Sequence, residues 1–221
     1  MRAPLIFLLT LSFAFLYCCD TYDSEDLNQD KIKTVYRLTY DANTNETNAK
    51  AEFRFGNDYV EINPPASITF NSHDLEKRNA FGITWYRVLL EDSVSGSFEY
   101  TNQNGDTFTN FALIPPFIHV ESANLFVSSN STVTWMGPEI EIGETVTVSI
   151  RGENGSYSAI TKEINTNSIM LRAGELKQDL AGNVTVTLTR STEPDLNETT
   201  PIGGSLINEY ISPKITTVVE E

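Results

Sequence analysis

Past residue 19 the chain has no cysteine; its two, Cys18 and Cys19, stand side by side near the start of 221 residues. That excludes a domain stapled by its own disulfides, and vicinal cysteines rarely bridge each other because the geometry wants a wider Cα separation. Histidine is equally scarce. His73 and His119 are the only two, too few for the common zinc sites, and nothing beside them marks a nucleophile for a Ser–His–Asp triad. Neither a metal nor a cofactor is expected. Basic residues number 15 against 30 acidic, a net charge of −15. Such a balance argues against nucleic acid or anionic lipid as partners, since both need a basic patch. Long apolar runs are missing as well. The uncharged stretch 3–17 falls short of the ~20 residues a membrane-spanning helix needs. Helical periodicity is confined to residues 173–182, where Leu176 and Leu180 stand four apart ahead of Gly182.

What is present begins with a targeting pattern. Met1-Arg2 is followed by the apolar run and then by Leu16-Tyr17-Cys18-Cys19-Asp20. Residues 1–18 read as a signal peptide. Leu16 to Cys19 resembles a bacterial lipobox, in which the cysteine after the cut is acylated and becomes the new N-terminus. Cys19 fits that role better than Cys18, because it puts Leu16 at −3 and the small Cys18 at −1, where Cys18 would put Tyr17. Tyr17 and Cys18 depart from the small residues usual there. Asp20, Asp23, Glu25 and Asp26 resemble the acidic signal that sends lipoproteins of Bacteroidota to the cell surface. The resemblance implies a membrane partner through a lipid on Cys19 and an outer-membrane, surface-exposed location. The alternative is secretion after an ordinary cut. Loss of Arg2 with the leader leaves 14 basic residues against 30 acidic, a net of −16. Residues 19–31, polar and acidic, are expected to form a flexible tether, since they have little apolar surface to offset the entropy of ordering.

The remaining ~190 residues suit one large domain or two of about 100. Val, Ile, Thr, Phe and Tyr dominate the regular stretches, and Asn, Gly and Pro break them. Period-2 alternation marks strands at 34–40, 50–55, 144–151 and 183–190, with further candidates at 59–62, 67–70, 83–91 (apolar on both faces), 96–102, 106–113, 117–121, 131–136, 157–164 and 168–172. A long last strand is expected near 206–219. Asn104-Gly105 and Asn154-Gly155 mark hairpins. A loop of two residues or three at the first decides whether Tyr100 faces Thr109 or Phe108. Ile114-Pro115-Pro116 interrupts the pattern, because neither proline can donate to a sheet ladder. The expected domains are therefore 32–114 and 115–221. The fold class is all-β, two tandem immunoglobulin-like antiparallel β-sandwiches. Together with Cys19 and the acidic stretch, this pattern resembles the small surface lipoproteins of Bacteroidota with tandem immunoglobulin-like domains, which implies display or binding outside the cell and carries over no catalytic residue.

Several constellations carry chemistry on paper. Asp41, Asn43, Asn45 and Glu52 match oxygen-bearing positions of a calcium-binding EF-hand loop, but Glu46 stands where the turn requires Gly, and the flanks alternate like strands. A polar hairpin tip is the expected reading. Residues 139–144 (EIEIGE) resemble the acidic strand of laminarinase-type glycoside hydrolases; Glu139 and Glu144 would be the paired carboxyls, although Glu141 replaces the central Asp of that pattern. The plain reading is a loop leading into strand 144–151. Trp85, Tyr86 and Trp135 are candidates for a sugar platform. Trp85 shares a face with Ile83 and Leu89, and Trp135 with Val133, so both tryptophans are expected in a core. The expected function is a non-enzymatic envelope lipoprotein that displays β-sandwiches for binding or adhesion, with a glycan or envelope protein as partner. The alternatives are a carbohydrate-binding accessory of a glycan-uptake system and a glycoside hydrolase using Glu139 and Glu144. No ligand-binding residue and no oligomeric state is specified by the sequence.

Overall fold

The computed structural model describes residues 21–221. The expected leader and the candidate lipidation site Cys19 lie outside the described residues. The first half comprises β1 (Thr21–Asp23), β2 (Ile32–Asp41), β3 (Glu46–Phe55), β4 (Asp58–Glu61), β5 (Ser67–Phe70), β6 (His73–Asp74), β7 (Glu76–Ala80), β8 (Ile83–Glu91), β9 (Gly96–Thr101) and β10 (Thr107–Ala112). The second comprises β11 (His119–Phe126), β12 (Ser131–Met136), β13 (Glu144–Gly152), β14 (Ser156–Thr161), β15 (Ser168–Leu171), β16 (Gly182–Thr192), β17 (Gly204–Ile211) and β18 (Ile215–Glu220). Among the described residues no helix is long and apolar enough to cross a membrane.

Alternation builds each core. In β2 every second residue points inward: Ile32, Thr34, Tyr36, Leu38 and Tyr40 are buried. Ile32, Tyr36 and Leu38, with Ala49, Ala51 and Phe53 of β3, form the first core with Ile68, Phe70, Phe98 and Tyr100 of the small sheet β10-β9-β5-β6, while Tyr40 belongs to the second core. Tyr36 stacks on Phe98 at 4.8 Å and Phe53 packs on Tyr100 at 4.6 Å. Burying each such ring contributes on the order of 2 kcal/mol before ordering costs. The second core sets Val146, Val148 and Ile150 of β13 and Val184, Val186 and Leu188 of β16 against Val133 and Trp135 of β12 and Ile169 and Leu171 of β15. Both halves are thus two-layered, and the protein is an all-β sandwich fold.

One sheet runs through both halves. β16 pairs with β18 over 182–186 and with β17 over 189–192. β17 in turn pairs with β2, in parallel, over eight residues from Gly204↔Thr34 to Ile211↔Asp41. Leu206 belongs to the first core and Tyr210 to the second. The expected single strand at 206–219 is therefore two strands, broken at Ser212-Pro213-Lys214. Pro213 has no N–H to offer a ladder. Ser212 holds the break: its N–H donates to Leu188 O at 2.8 Å, and its Oγ accepts the Leu188 N–H at 3.0 Å.

Residues 21–31 depart from the expected tether. β1 pairs in parallel with β4, and Ser24 and Gln29 are buried. Gln29 Nε2 donates to Ser24 O at 2.6 Å, Gln103 Nε2 donates to Ser24 Oγ at 2.9 Å, and Asn63 N–H donates to Ser24 Oγ at 3.2 Å. Composition counts apolar burial only; here buried polar groups find protein partners, which offsets part of the loss of water. The expected helical turn shrinks to a 3-10 turn, Gln178–Leu180, with Leu176 and Leu180 both buried. Asn102–Asp106 form the first hairpin loop. Gly105 takes φ +85° and Tyr100 faces Phe108.

Candidate binding surface

The EF-hand-like residues do not converge. Asp41 pairs with Glu46 at the β2–β3 hairpin, and Asp41 Oδ1 accepts the Asn43 N–H at 2.8 Å. Asn43 Oδ1 accepts the Lys214 N–H, and Asn45 Oδ1 accepts the Tyr40 hydroxyl. Glu52 faces Val35, six residues along β2 from Asp41, about 20 Å at a strand's rise. These oxygens fasten the hairpin, as a polar tip would. No group of three or more potential metal-ligating side chains occurs among the described residues.

Glu139 and Glu144 have separate duties. Glu139 is exposed. Glu144 is buried and ion-paired with Arg190, a fully buried guanidinium, and Glu144 Oε2 also accepts the Glu141 N–H at 2.8 Å. Arg190 further donates to Pro138 O at 2.9 Å and Glu139 O at 2.7 Å. The carboxylate is thus a brace that closes the 138–144 loop onto β16. His73 and His119 are both exposed.

The tryptophans part company. Trp135 is fully buried, as expected. Trp85 is not in the core. It does share a face with Ile83 and Leu89, but that face is the solvent side of β8; Thr84 and Tyr86 point inward, and Ile83 and Leu89 are exposed. Tyr86 belongs to the core, its hydroxyl accepting the Ile62 N–H at 2.8 Å.

Register makes this outer face unusual. Arg37 of β2 faces Lys50 of β3, and Lys50 faces Arg87 of β8. Three cations therefore sit side by side on three adjacent strands. Glu76 of β7 ends the row beyond Arg87, and Glu209 of β17 holds Arg37 at 2.6 Å at the other end. In the neighbouring row Arg78 of β7 faces Trp85, and the Lys50 ammonium lies 5.3 Å from the Trp85 ring centre. Lys33 and Arg54 face each other one row further on. Six of the 15 basic residues thus share one face of a chain with net charge −15. Like charges directly opposite on a sheet are destabilising.

Glu52 is the acid inside this patch. Its carboxylate binds Lys50 at 2.7 Å and Arg54 at 2.8 Å. Burial alone would push its pKa up, but the two cations prevail and hold it below the ordinary glutamate value. Arg87 makes no ion pair among the described residues. A row of acids, Asp41, Glu46 and Glu91, lies four residues further along the strands, about 13 Å away. That exceeds the screening length of about 8 Å at physiological salt.

A concavity of about 590 Å³ lies where the halves meet, lined by Phe111, Leu113, Pro115, Pro116, Thr192 and Pro194 among others. The sequence pointed to neither surface. Alternation in 34–40 and 50–55 does put Arg37 and Lys50 off the core, which was the available signal; Arg87 lies on the face of Trp85, which was expected inside, and the alignment of the three depends on register.

No family model matches the chain, and no curated protein does. Among solved structures it is similar to the crystal structure of chicken CNTN1 FN1-FN3 domains, at 10% identity and a TM-score of 0.27. The match covers 78% of this chain and 60% of that one. A likeness at that TM-score carries no argument, and the fold rests on the sheets and cores described above.

Proposed function

We propose that this protein is a non-enzymatic binding module, held at the outer-membrane surface by a lipid on Cys19, whose binding surface is the solvent face of β7, β8, β3 and β2. The observation that carries the reading is the row Arg37–Lys50–Arg87 beside the partly exposed Trp85. Such an arrangement works against sheet stability, and local rules tend to be broken where a surface has a second task. The lipobox-like residues 16–19 support the anchor. Asp23, Glu25 and Asp26 are exposed on the ordered segment that follows, where a sorting apparatus can reach them. A role as carbohydrate-binding accessory is the narrower version, favoured by the outward-facing Trp85.

Two measurements test the proposal. Intact mass of the membrane-extracted protein from a Bacteroidota host should begin at Cys19 with added acyl chains, and Cys19→Ala should abolish them. A lipid-free product removes the anchor. For the surface, the full chain in detergent is run through gels containing neutral or charged polysaccharides. Retardation that Trp85→Ala abolishes supports the binding face, and mobility unchanged by every polymer removes it.

A further inference from the structure

The geometry points to an acidic polysaccharide, a chain of uronate sugars, as the ligand of this face, an inference that rests on the binding role proposed above. Three observations lead there. The aromatic group is single: Trp85 faces solvent on β8 with Arg78 opposite it and the Lys50 ammonium 5.3 Å from its ring centre. The face of an indole carries negative π density, and the C–H face of a pyranose complements it. Lys50 lies over one side of the ring and is held by Glu52 at 2.7 Å, so a sugar stacked on the other side meets Arg87, two residues along the same face of β8, and a carboxylate on the ring is favoured over a neutral hydroxymethyl. Beyond Lys50 the cations continue, to Arg87 on one side and Arg37 on the other. Guanidinium groups bind carboxylates through two parallel N–H donors. Within the Arg37–Lys50–Arg87 row, Arg87 is the cation without an ion pair among the described residues.

The charge density selects the polymer. Within the two central rows the cations Arg37, Lys50, Arg78 and Arg87 are accompanied by Glu52, Glu76 and, at the Arg37 end, Glu209. The excess positive charge is modest, which suits one charge per sugar better than a densely sulfated chain. A nucleic-acid strand would call for several stacking rings along a basic groove, and this face offers one. Elsewhere the chain is strongly acidic, so a polyanion is repelled from the remaining surface and confined to this face. The net charge of the sequence argued against any anionic partner; that argument holds for the sum and fails locally, because the surrounding acids are screened at this distance.

The test measures affinity of the full chain, in detergent, for polygalacturonate, neutral dextran, dextran sulfate and a single-stranded oligonucleotide. Expected are binding to polygalacturonate with quenching or a shift of Trp85 fluorescence, and a fall of about tenfold in affinity between about 50 and 200 mM salt. Arg87→Gln should weaken binding about tenfold. Lys50→Gln is the second variant, with circular dichroism confirming that both fold. Trp85→Tyr should retain part of the affinity that Trp85→Ala loses. Equal binding to dextran, unmoved by Arg87→Gln and Lys50→Gln, overturns the acidic ligand and leaves the binding face standing. Preference for dextran sulfate or for the oligonucleotide overturns the uronate. Absence of binding to every polymer overturns both the ligand and the face.

Discussion

Four core tyrosines, Tyr36, Tyr86, Tyr100 and Tyr210, share one physical consequence of burial. Desolvation disfavours the phenolate, so each pKa rises above the ordinary value of about 10, and that of Tyr86 reaches about 12. A group whose native pKa is raised contributes stability that is complete below its unfolded pKa. That contribution is lost as pH climbs through the native value. The protein should therefore hold its stability up to about pH 10 and lose it steeply above. Phenolate absorbance should rise together with loss of the β circular-dichroism signal. Tyr100→Phe removes one of these groups and should move the alkaline midpoint upward. Ionisation of every tyrosine near pH 10 with the fold intact would contradict the burial argument.

At the scale of elements, the segment 193–203 and β17 bind the molecule together. Leaving β16, the chain crosses the first half and covers the edge of β10. Glu198 Oε2 accepts the Thr109 N–H at 2.6 Å, and Asn197 Oδ1 accepts the Phe111 N–H at 3.0 Å. An edge strand with free donors invites pairing with another chain, and these side chains take that role. Thr200 Oγ1 then donates to Ile32 O at 2.8 Å. Gly204 opens β17 where no side chain fits: a Cβ there would stand 2.5 Å from Thr34 O and 2.6 Å from Leu196 Cδ1. Backbone cannot give way as a flexible side chain can. Gly204→Ala should thus destabilise the protein by about 1–3 kcal/mol, the usual range for overpacking. Urea denaturation checks this, and an unchanged midpoint would show that β17 does not approach β2 as described.

For the whole molecule, the shared strand predicts shared stability. β17 pairs with β2 of the first half and β16 of the second, and its side chains enter both cores. Each half contains one tryptophan, Trp85 or Trp135. Single-tryptophan variants, Trp135→Phe reporting on the first half and Trp85→Phe on the second, should give the same slope and a single transition each by fluorescence. Once each is corrected against its own circular-dichroism midpoint, neither probe should run ahead of the backbone signal. A tryptophan transition that precedes the loss of β structure would show that the halves unfold independently.

Much of this architecture was legible in the sequence, and for a definite reason. β-branched and aromatic content between turn residues is a local property, so 67–70, 83–91 and 131–136 could be read as strands without knowledge of their neighbours, and the structure has them as β5, β8 and β12. β7 escaped notice because Glu76-Lys77-Arg78-Asn79 carries no apolar residue, and only pairing with β8 makes it a strand. Alternation sorts residues onto two faces but does not say which face a second sheet will cover. Trp85 was grouped correctly with Ile83 and Leu89, yet packing buried Tyr86 and left Trp85 outside. The parallel pairing of β17 with β2 joins residues about 170 apart in the chain, a contact that no local pattern encodes. Charge followed the same division. The sequence by itself determined the sum, strongly negative; only the register of β2, β3 and β8 decided that Arg37, Lys50 and Arg87 stand in one row, because net charge adds over residues while an electrostatic surface depends on which of them are neighbours.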